Sequence, residues 1–470
     1  MQHQKEEENK KQAGKISIKE GSASSIMTGL GDNYVSPFMV SLTKNPLPIG
    51  LLSSLPGLLS PISQLIGSKL MESNSRKKIV LLSVFLHAIF WLPVAVLGIL
   101  FYFNFAINYL SFALLIIYSM IAIAGGLGGP AWFSWMGDIV PEKEKGTYYS
   151  KRNKIVGAVS VIAFLSGAFI LDFFKTKGLA SLGFATLFAA AASARLISFS
   201  FMRKQFEPDF KLEKDYYFSF WQFMRRHGNF WKFTMFQAFF YFGLMIASPF
   251  FAVYMLNHLH FNYITYTSVS ISSTLFYLFF LPIMGKFSDK YGNMQMLLFS
   301  GVLYAIYPFL WIFFKDPFAL ILIPQLIIGL GMAGYAISTT NYIYDTVTPQ
   351  RRGICTAYMN IMIGIATFFG AIAGGLIIKY FPSNLMFPIF AAFLLSALGR
   401  LFSTILIVPK IKELRETKRI NLREGVHEFI YSIADEGKSL AGDFQQSLLM
   451  PIMFIRNAAK RGIRRKAESA

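Results

Sequence analysis

Twelve runs of roughly 20 predominantly apolar residues dominate this chain, each long enough to cross a bilayer's hydrocarbon layer, about 30 Å thick. They fall near 22–43, 47–66, 79–103, 107–129, 154–174 and 178–202, and then near 230–256, 262–284, 294–314, 318–344, 354–380 and 384–408. Lipid offers backbone amides and carbonyls no partner, so a segment of this length must satisfy them internally as an α-helix. The predicted fold is an all-α membrane protein of about twelve transmembrane helices. Composition agrees. Of 470 residues 54% are hydrophobic and 15% charged, where a soluble domain carries about a quarter charged. Much of this surface therefore faces something other than water.

The net charge of +20 raises the question of nucleic acid, and position answers it. The basic residues sit in short loops and tails, and no soluble face interleaves them with aromatics, so no nucleic-acid partner is expected. Alternate loops differ sharply. One set holds Lys69, Arg76, Lys77 and Lys78; Lys143, Lys145, Lys151 and Arg152; Arg203, Lys204, Arg225 and Arg226; Lys286 and Lys290; Arg351 and Arg352. The other has Lys44, Lys175, Lys177, Lys315 and Lys379. The positive-inside rule places the rich set and both termini in the cytoplasm, in a multi-pass protein of the cell membrane.

Residues 1–21 read as a polar cytoplasmic tail and not a cleavable signal, 203–229 as a cytoplasmic linker, and 409–470 as a basic cytoplasmic tail. In that last segment an apolar stretch, 448–455, precedes Arg456, Lys460, Arg461, Arg464, Arg465 and Lys466. It suits either an anionic lipid surface or a solvated tail. The lone Cys355 excludes an internal disulfide.

The chain also repeats itself. Ser36-Pro37-Phe38 returns as Ser248-Pro249-Phe250, 212 residues later. Asp138 and Gly146 return as Asp345 and Gly353, and Gly157 and Gly167 as Gly364 and Gly374, all at an offset of 207. Arg195-Leu196 returns as Arg400-Leu401, 205 later. Two six-helix bundles, 22–202 and 230–408, related by a pseudo-two-fold axis along the membrane normal, are a transporter architecture.

Loop motifs strengthen this reading. Gly285-Lys-Phe-Ser-Asp289-Lys290-Tyr-Gly292 resembles the G-x-x-x-D-[RK]-x-G cytoplasmic loop of the major facilitator superfamily. The equivalent loop in the first half is degenerate, with Gly67, then Met71 where the acid belongs, then Glu72 and Arg76. The segments Asp138-Ile-Val-Pro141 to Gly146 and Asp345-Thr-Val-Thr-Pro349-Gln-Arg351-Arg352-Gly353 resemble the family's D-x-x-P-x-x-x-R-G. The resemblance covers about 22–408. It implies a cavity lined mainly by helices 1, 4, 7 and 10, and loop charges that act as a cytoplasmic gate. In that gate Asp138, Asp289 and Asp345 would pair with Arg351, Arg352 or Arg152. The fifth span lacks the G-x-x-x-G-P pattern of drug/proton antiporters, which counts against that subgroup.

Asp32, near the middle of the first span, is the most informative residue, because acids at that depth are costly and tend to line water-filled paths. It reads as a proton or cation site, or else as a buried acid at a kink beside Gly29 and Gly31 or paired with an arginine. Asn33, Trp132, Trp135, Gln237, Tyr241, Asn341 and Tyr342 are further candidates for polar contact, with helix packing as the alternative. Arg195 and Arg400, repeated in both halves, are expected to be structural. His258 and His260 lack further ligands, so no metal is expected. No cofactor is expected either, and no phosphate-binding G-x-x-x-x-G-K-[ST] loop is present.

The sequence thus predicts a secondary transporter for a small organic solute, with protons as the candidate coupling ion, acting as a monomer among membrane lipids. The alternative is a non-transporting sensor or scaffold that keeps the fold. A membrane enzyme would need paired intramembrane carboxylates or an H-E-x-x-H motif, and neither is present.

Overall fold

The computed structural model of the protein describes residues 2–140, 145–208, 220–225, 228–347, 349–381 and 387–415, with isolated positions 432 and 435. The apolar and basic segment at 448–466 and residues 209–219 of the linker therefore lie outside the described residues.

Helix α1 runs from Gln2–Met27 through a wide π-helical turn, Thr28–Asp32, into Asn33–Leu42. Five helices complete the first bundle: α2 (Pro46–Leu70), α3 (Arg76–Tyr102), α4 (Ile107–Ile139), α5 (Lys145–Thr176) and α6 (Ala180–Arg203). A short helix, Phe220–Arg225, leads to the second bundle. Its members are α7 (Asn229–His258, with a break at 248–249), α8 (Tyr263–Tyr291), α9 (Asn293–Phe313), α10 (Pro317–Thr346), α11 (Pro349–Tyr380) and α12 (Pro388–Ile407). Eleven of the twelve meet a spanning criterion of length and hydropathy. The twelfth is α1, whose apolar second half is interrupted by Asp32 and Asn33.

That polar half corrects the sequence reading of 1–21 as a tail. It is helical from Gln2, and Ala13, Ser17 and Glu20 are buried in the first bundle. The buried face is made of small residues, Ala13, Gly14, Ser17 and Gly21, so it carries no apolar periodicity to read.

The cores of the two halves differ along the membrane normal. From mid-membrane to the end with few charged loops, one apolar cluster crosses the seam, joining Tyr34, Phe38 and Phe184 to Phe250, Tyr254 and Tyr263. Toward the basic end, the cluster around Trp135 and Met136 lies within the first half, and those around Phe236 and Phe280 lie within the second. Between the halves α2 packs on α11, where a Cβ on Gly364 would stand 2.5 Å from the Gly57 carbonyl.

The two motif glycines have different work. A Cβ on Gly67 would run into the Leu127 backbone carbonyl of α4, whereas one on Gly285 would meet only Ile337, at an ordinary 3.7 Å. Gly67→Ala is expected to cost about 1–3 kcal/mol through overpacking, and Gly285→Ala less than about 0.5 kcal/mol. Thermal unfolding of the two variants in detergent separates them; equal melting temperatures would show that the close α2–α4 approach is not required.

Candidate functional site

Asp32 closes the π-helical turn of α1. Such a turn carries one residue more than an α-helical turn, and these insertions concentrate at functional positions. The half-buried carboxylate accepts from the Tyr118 hydroxyl of α4 at 3.3 Å and from Thr28. Asn33 beside it is also half-buried. Gly31 lets Trp91 come close, since a Cβ there would stand 2.8 Å from the indole.

Twelve residues earlier on the same helix is Glu20, 4% exposed. One carboxylate oxygen lies 3.5 Å from Arg195 and the other 3.7 Å from Arg152. Ser198 donates to Glu20 at 2.9 Å, while Arg195 donates to Ser24 at 2.8 Å and to Ser198 at 3.1 Å. The Arg152 guanidinium donates to Ser17 and lies 4.9 Å from the centre of the Trp132 ring. These groups line a cavity of about 330 Å³ between α1, α3, α4, α5 and α6. Sequence reasoning missed Glu20 because it assigned the segment to a tail; the small-residue face was the available signal.

The second half has a buried polar set of its own. Gln237 donates to Thr339 at 3.1 Å and accepts from the Tyr335 hydroxyl, and the Tyr241 ring lies 6.3 Å from that of Tyr335. Asn341 donates to Ser288 at 3.4 Å. Two expected cavity residues are instead packed away. Trp135 is fully buried and donates to the Phe206 carbonyl, and Tyr342 is fully buried against Phe233 and donates to the Lys412 carbonyl.

Arg195 and Arg400 are repeated in sequence but not in role. Arg195 meets a carboxylate, whereas Arg400 donates to the backbone carbonyls of Tyr304 and Leu244 at 2.8 and 3.3 Å.

The loop charges also pair differently from expectation. Asp138 takes Arg76, at 2.5 Å, and Arg76 is fully buried where it also reaches Ser134 and the Pro208 carbonyl. Asp289 and Asp345 converge on Arg415, at 3.2 and 2.7 Å. Hydrogen bonding to Asp345 raises the Arg415 pKa above its ordinary value. Arg152 faces Glu20 and not a loop acid. Glu72 is exposed in the turn between α2 and α3. Gly292, at φ +88°, makes the sharp α8–α9 junction that a side chain would strain. The side chains of Arg351 and Arg352, and the surroundings of Gly146 and Gly353, lie outside the described residues. No cluster of three or more metal-ligating side chains occurs among the described residues.

At the opposite end a carboxylate ties the halves together. Asp172 of α5 accepts from the backbone N–H groups of Tyr263 and Ile264, the first two of α8, at 3.0 and 3.1 Å. Asn262 accepts from Thr265, so the free amides of that first turn are shared between the two halves. Tyr34 donates to the Phe164 carbonyl at 2.5 Å and stands 3.4 Å from the Thr267 hydroxyl.

Twelve helices in two bundles, with charged side chains buried in both, have the architecture of membrane transporters. The sequence profile of the Major Facilitator Superfamily matches twice, over residues 22–272 and 237–456, and the chain belongs to that family. An uncharacterized transporter of Schizosaccharomyces pombe, C460.03, is 28% identical over 121 residues, which cover 26% of this chain and 20% of that protein. The uncharacterized MFS-type transporter YfiU of Bacillus subtilis is 29% identical over 100 residues, covering 21% and 19%. The chain thus aligns with about a fifth of each of these relatives. Among solved structures, a D-xylose-proton symporter superposes with a TM-score of 0.65 at 13% identity, covering 86% of this chain and 98% of that one. The nucleoside transporter NupG gives 0.61 at 14%, covering 86% and 99%. The POT family transporter PepTSo gives 0.66 at 9%, covering 85% and 97%. At these identities the likeness is one of fold.

Asp172→Ala leaves two amides of α8 without their acceptor, a loss of about 1.5 kcal/mol or more. Hydrogen exchange at Tyr263 and Ile264 is expected to accelerate roughly tenfold, in step with that energy. Unchanged exchange would show that the contact does not hold the seam.

Proposed function

We propose that the protein is a secondary transporter that moves a small organic solute by alternating access, with protons as the coupling ion and Asp32 as the protonation site. The observation that carries the reading is the uneven seam. Apolar side chains join the halves continuously at the sparsely charged end, while at the basic end the clusters around Trp135, Phe236 and Phe280 each stay within one half and the halves meet through Leu65 against the smaller Ile354–Tyr358 cluster. Under the positive-inside rule the basic end faces the cytoplasm, which makes this the inward-facing arrangement of a cell-membrane protein with both termini inside. Opening the outer side requires the Asp172 and Tyr34 contacts to part, as expected of a gate between rigid halves.

Asp32 suits coupling because its surroundings respond to its charge. Tyr118 donates to it, and Arg195 acts on it through space while also serving Glu20. Protonating Asp32 removes one of the two negative charges that compete for Arg195. In liposomes of purified protein under a pH gradient, Asp32→Asn is expected to abolish proton-linked accumulation and leave exchange of the same solute intact. Accumulation by the Asn variant at the wild-type level would remove Asp32 from coupling. Absence of flux for any solute across a broad panel would favour the sensor or scaffold reading.

A further inference from the structure

The duplication supplies a control for the cavity around Glu20. Upstream of the residue that the π-helical turn inserts, the offset is 213, so Gly21, Ser24 and Thr28 of α1 correspond to Thr234, Gln237 and Tyr241 of α7. At the 207-residue offset, Gly128 corresponds to Tyr335 and Arg152 to Met359. Tyr241, Tyr335 and Met359 belong to one packed cluster and Gln237 accepts from Tyr335 within it, so in the second half the equivalent space is filled. Glu20 itself corresponds to Phe233, fully buried in that cluster. The architecture therefore does not require the first-half cavity. One copy fills it, and the other keeps about 330 Å³ open and sets three charges in its wall.

We infer that this cavity is a binding site for a small organic monoanion, one carboxylate on a compact body, held by Arg152 and Arg195. The inference rests on the transporter reading for its biological use and names the substrate class. The charges of the wall are Arg152, Arg195 and Glu20, a net of one positive charge. A monoanion balances it once Asp32, the second acid that acts on Arg195, is protonated. A dianion or a cation would leave uncompensated charge in the low-dielectric bundle. Asp32 and His87 are near enough to act on Arg195 but do not line the cavity.

The geometry leaves room for a second acid. The contacts of Glu20 to the two guanidinium groups, at 3.5 and 3.7 Å, are longer than the roughly 2.8 Å of a tight charge-assisted hydrogen bond. The Nε of Arg195 is buried with no hydrogen-bond partner among the described residues. Gly21 leaves the space that Arg152 occupies, since a Cβ there would stand 2.7 Å from its terminal nitrogen. Trp132, beneath Arg152, offers a flat face to the body of the ligand. Glu20 is then a built-in competitor, holding the arginines while the site is empty and yielding them when a carboxylate enters.

The test uses the purified full-length protein in detergent, with melting temperature as readout. The probes are pyruvate, benzoate and nicotinate, each against its neutral amide. At least one carboxylate is expected to raise the melting temperature saturably where its amide does not. Arg152→Gln should weaken that carboxylate about tenfold or more, with Arg152→Lys recovering part of the loss. Glu20→Gln should tighten it several-fold, the opposite of what a purely structural salt bridge predicts. Should either Gln variant fail to fold, the carboxylate–amide difference in the wild type and the Arg152→Lys response decide alone. Amides stabilising as well as acids, or an affinity untouched at Arg152, would overturn the inference. Carboxylate binding without flux of any solute in liposomes sinks the transport reading and not this one. Flux of a neutral solute with no carboxylate bound does the reverse.

Discussion

A guanidinium or carboxylate within a helical bundle has to find its counter-charge or a backbone dipole there, because lipid supplies neither. The interior of this protein is arranged around that demand, and its two halves meet it differently. Arg400 borrows carbonyls from α9 and α7, so its charge is spent on holding helices together. Arg195 and Arg152 instead share one acid, and that acid is on the helix that also carries Asp32. Two similar bundles have thus diverged into a rigid, ring-packed half and a half with charge to spare.

The seam shows a second division of labour. Glycines at 57 and 364 allow α2 and α11 to touch at the backbone, a contact of shape that depends little on a particular side chain. The Asp172 contact is of another kind: a single carboxylate closing the amide end of a helix from the other half. Under the proposed alternating access, the backbone packing would serve as a pivot while these few hydrogen bonds part and re-form. At the basic end Arg415 draws Asp289, Asp345 and the start of the tail into one clasp within the second half, and Arg76 does the same for Asp138 in the first. The loop charges that the sequence presents as gate partners are braces inside each half in this arrangement.

The twelve spans and the duplication were legible because both are properties of long stretches, and Asp32 stood out because acids are rare at its depth. What escaped were features made by small residues or by packing. Ala13, Gly14, Ser17 and Gly21 give a buried helix face without hydrophobicity, so nothing in the pattern marks Glu20 as buried. Trp135 and Tyr342 look in sequence like aromatic site residues, and only the fold sends their polar tips to the carbonyls of Phe206 and Lys412. Asp172 stands at a span end beside Lys175 and Lys177, where nothing in the pattern announces a helix from the other bundle.

The wide turn at Thr28–Asp32 governs how the acids of α1 are aimed. In an unbroken α-helix, residues twelve apart stand about 120° apart around the axis, on different sides of the rod. One inserted residue contributes length but little rotation, so the interval from Glu20 to Asp32 turns like roughly eleven residues, close to three complete revolutions. The insertion therefore brings both carboxylates onto one meridian of the helix, facing the same arginine from different heights.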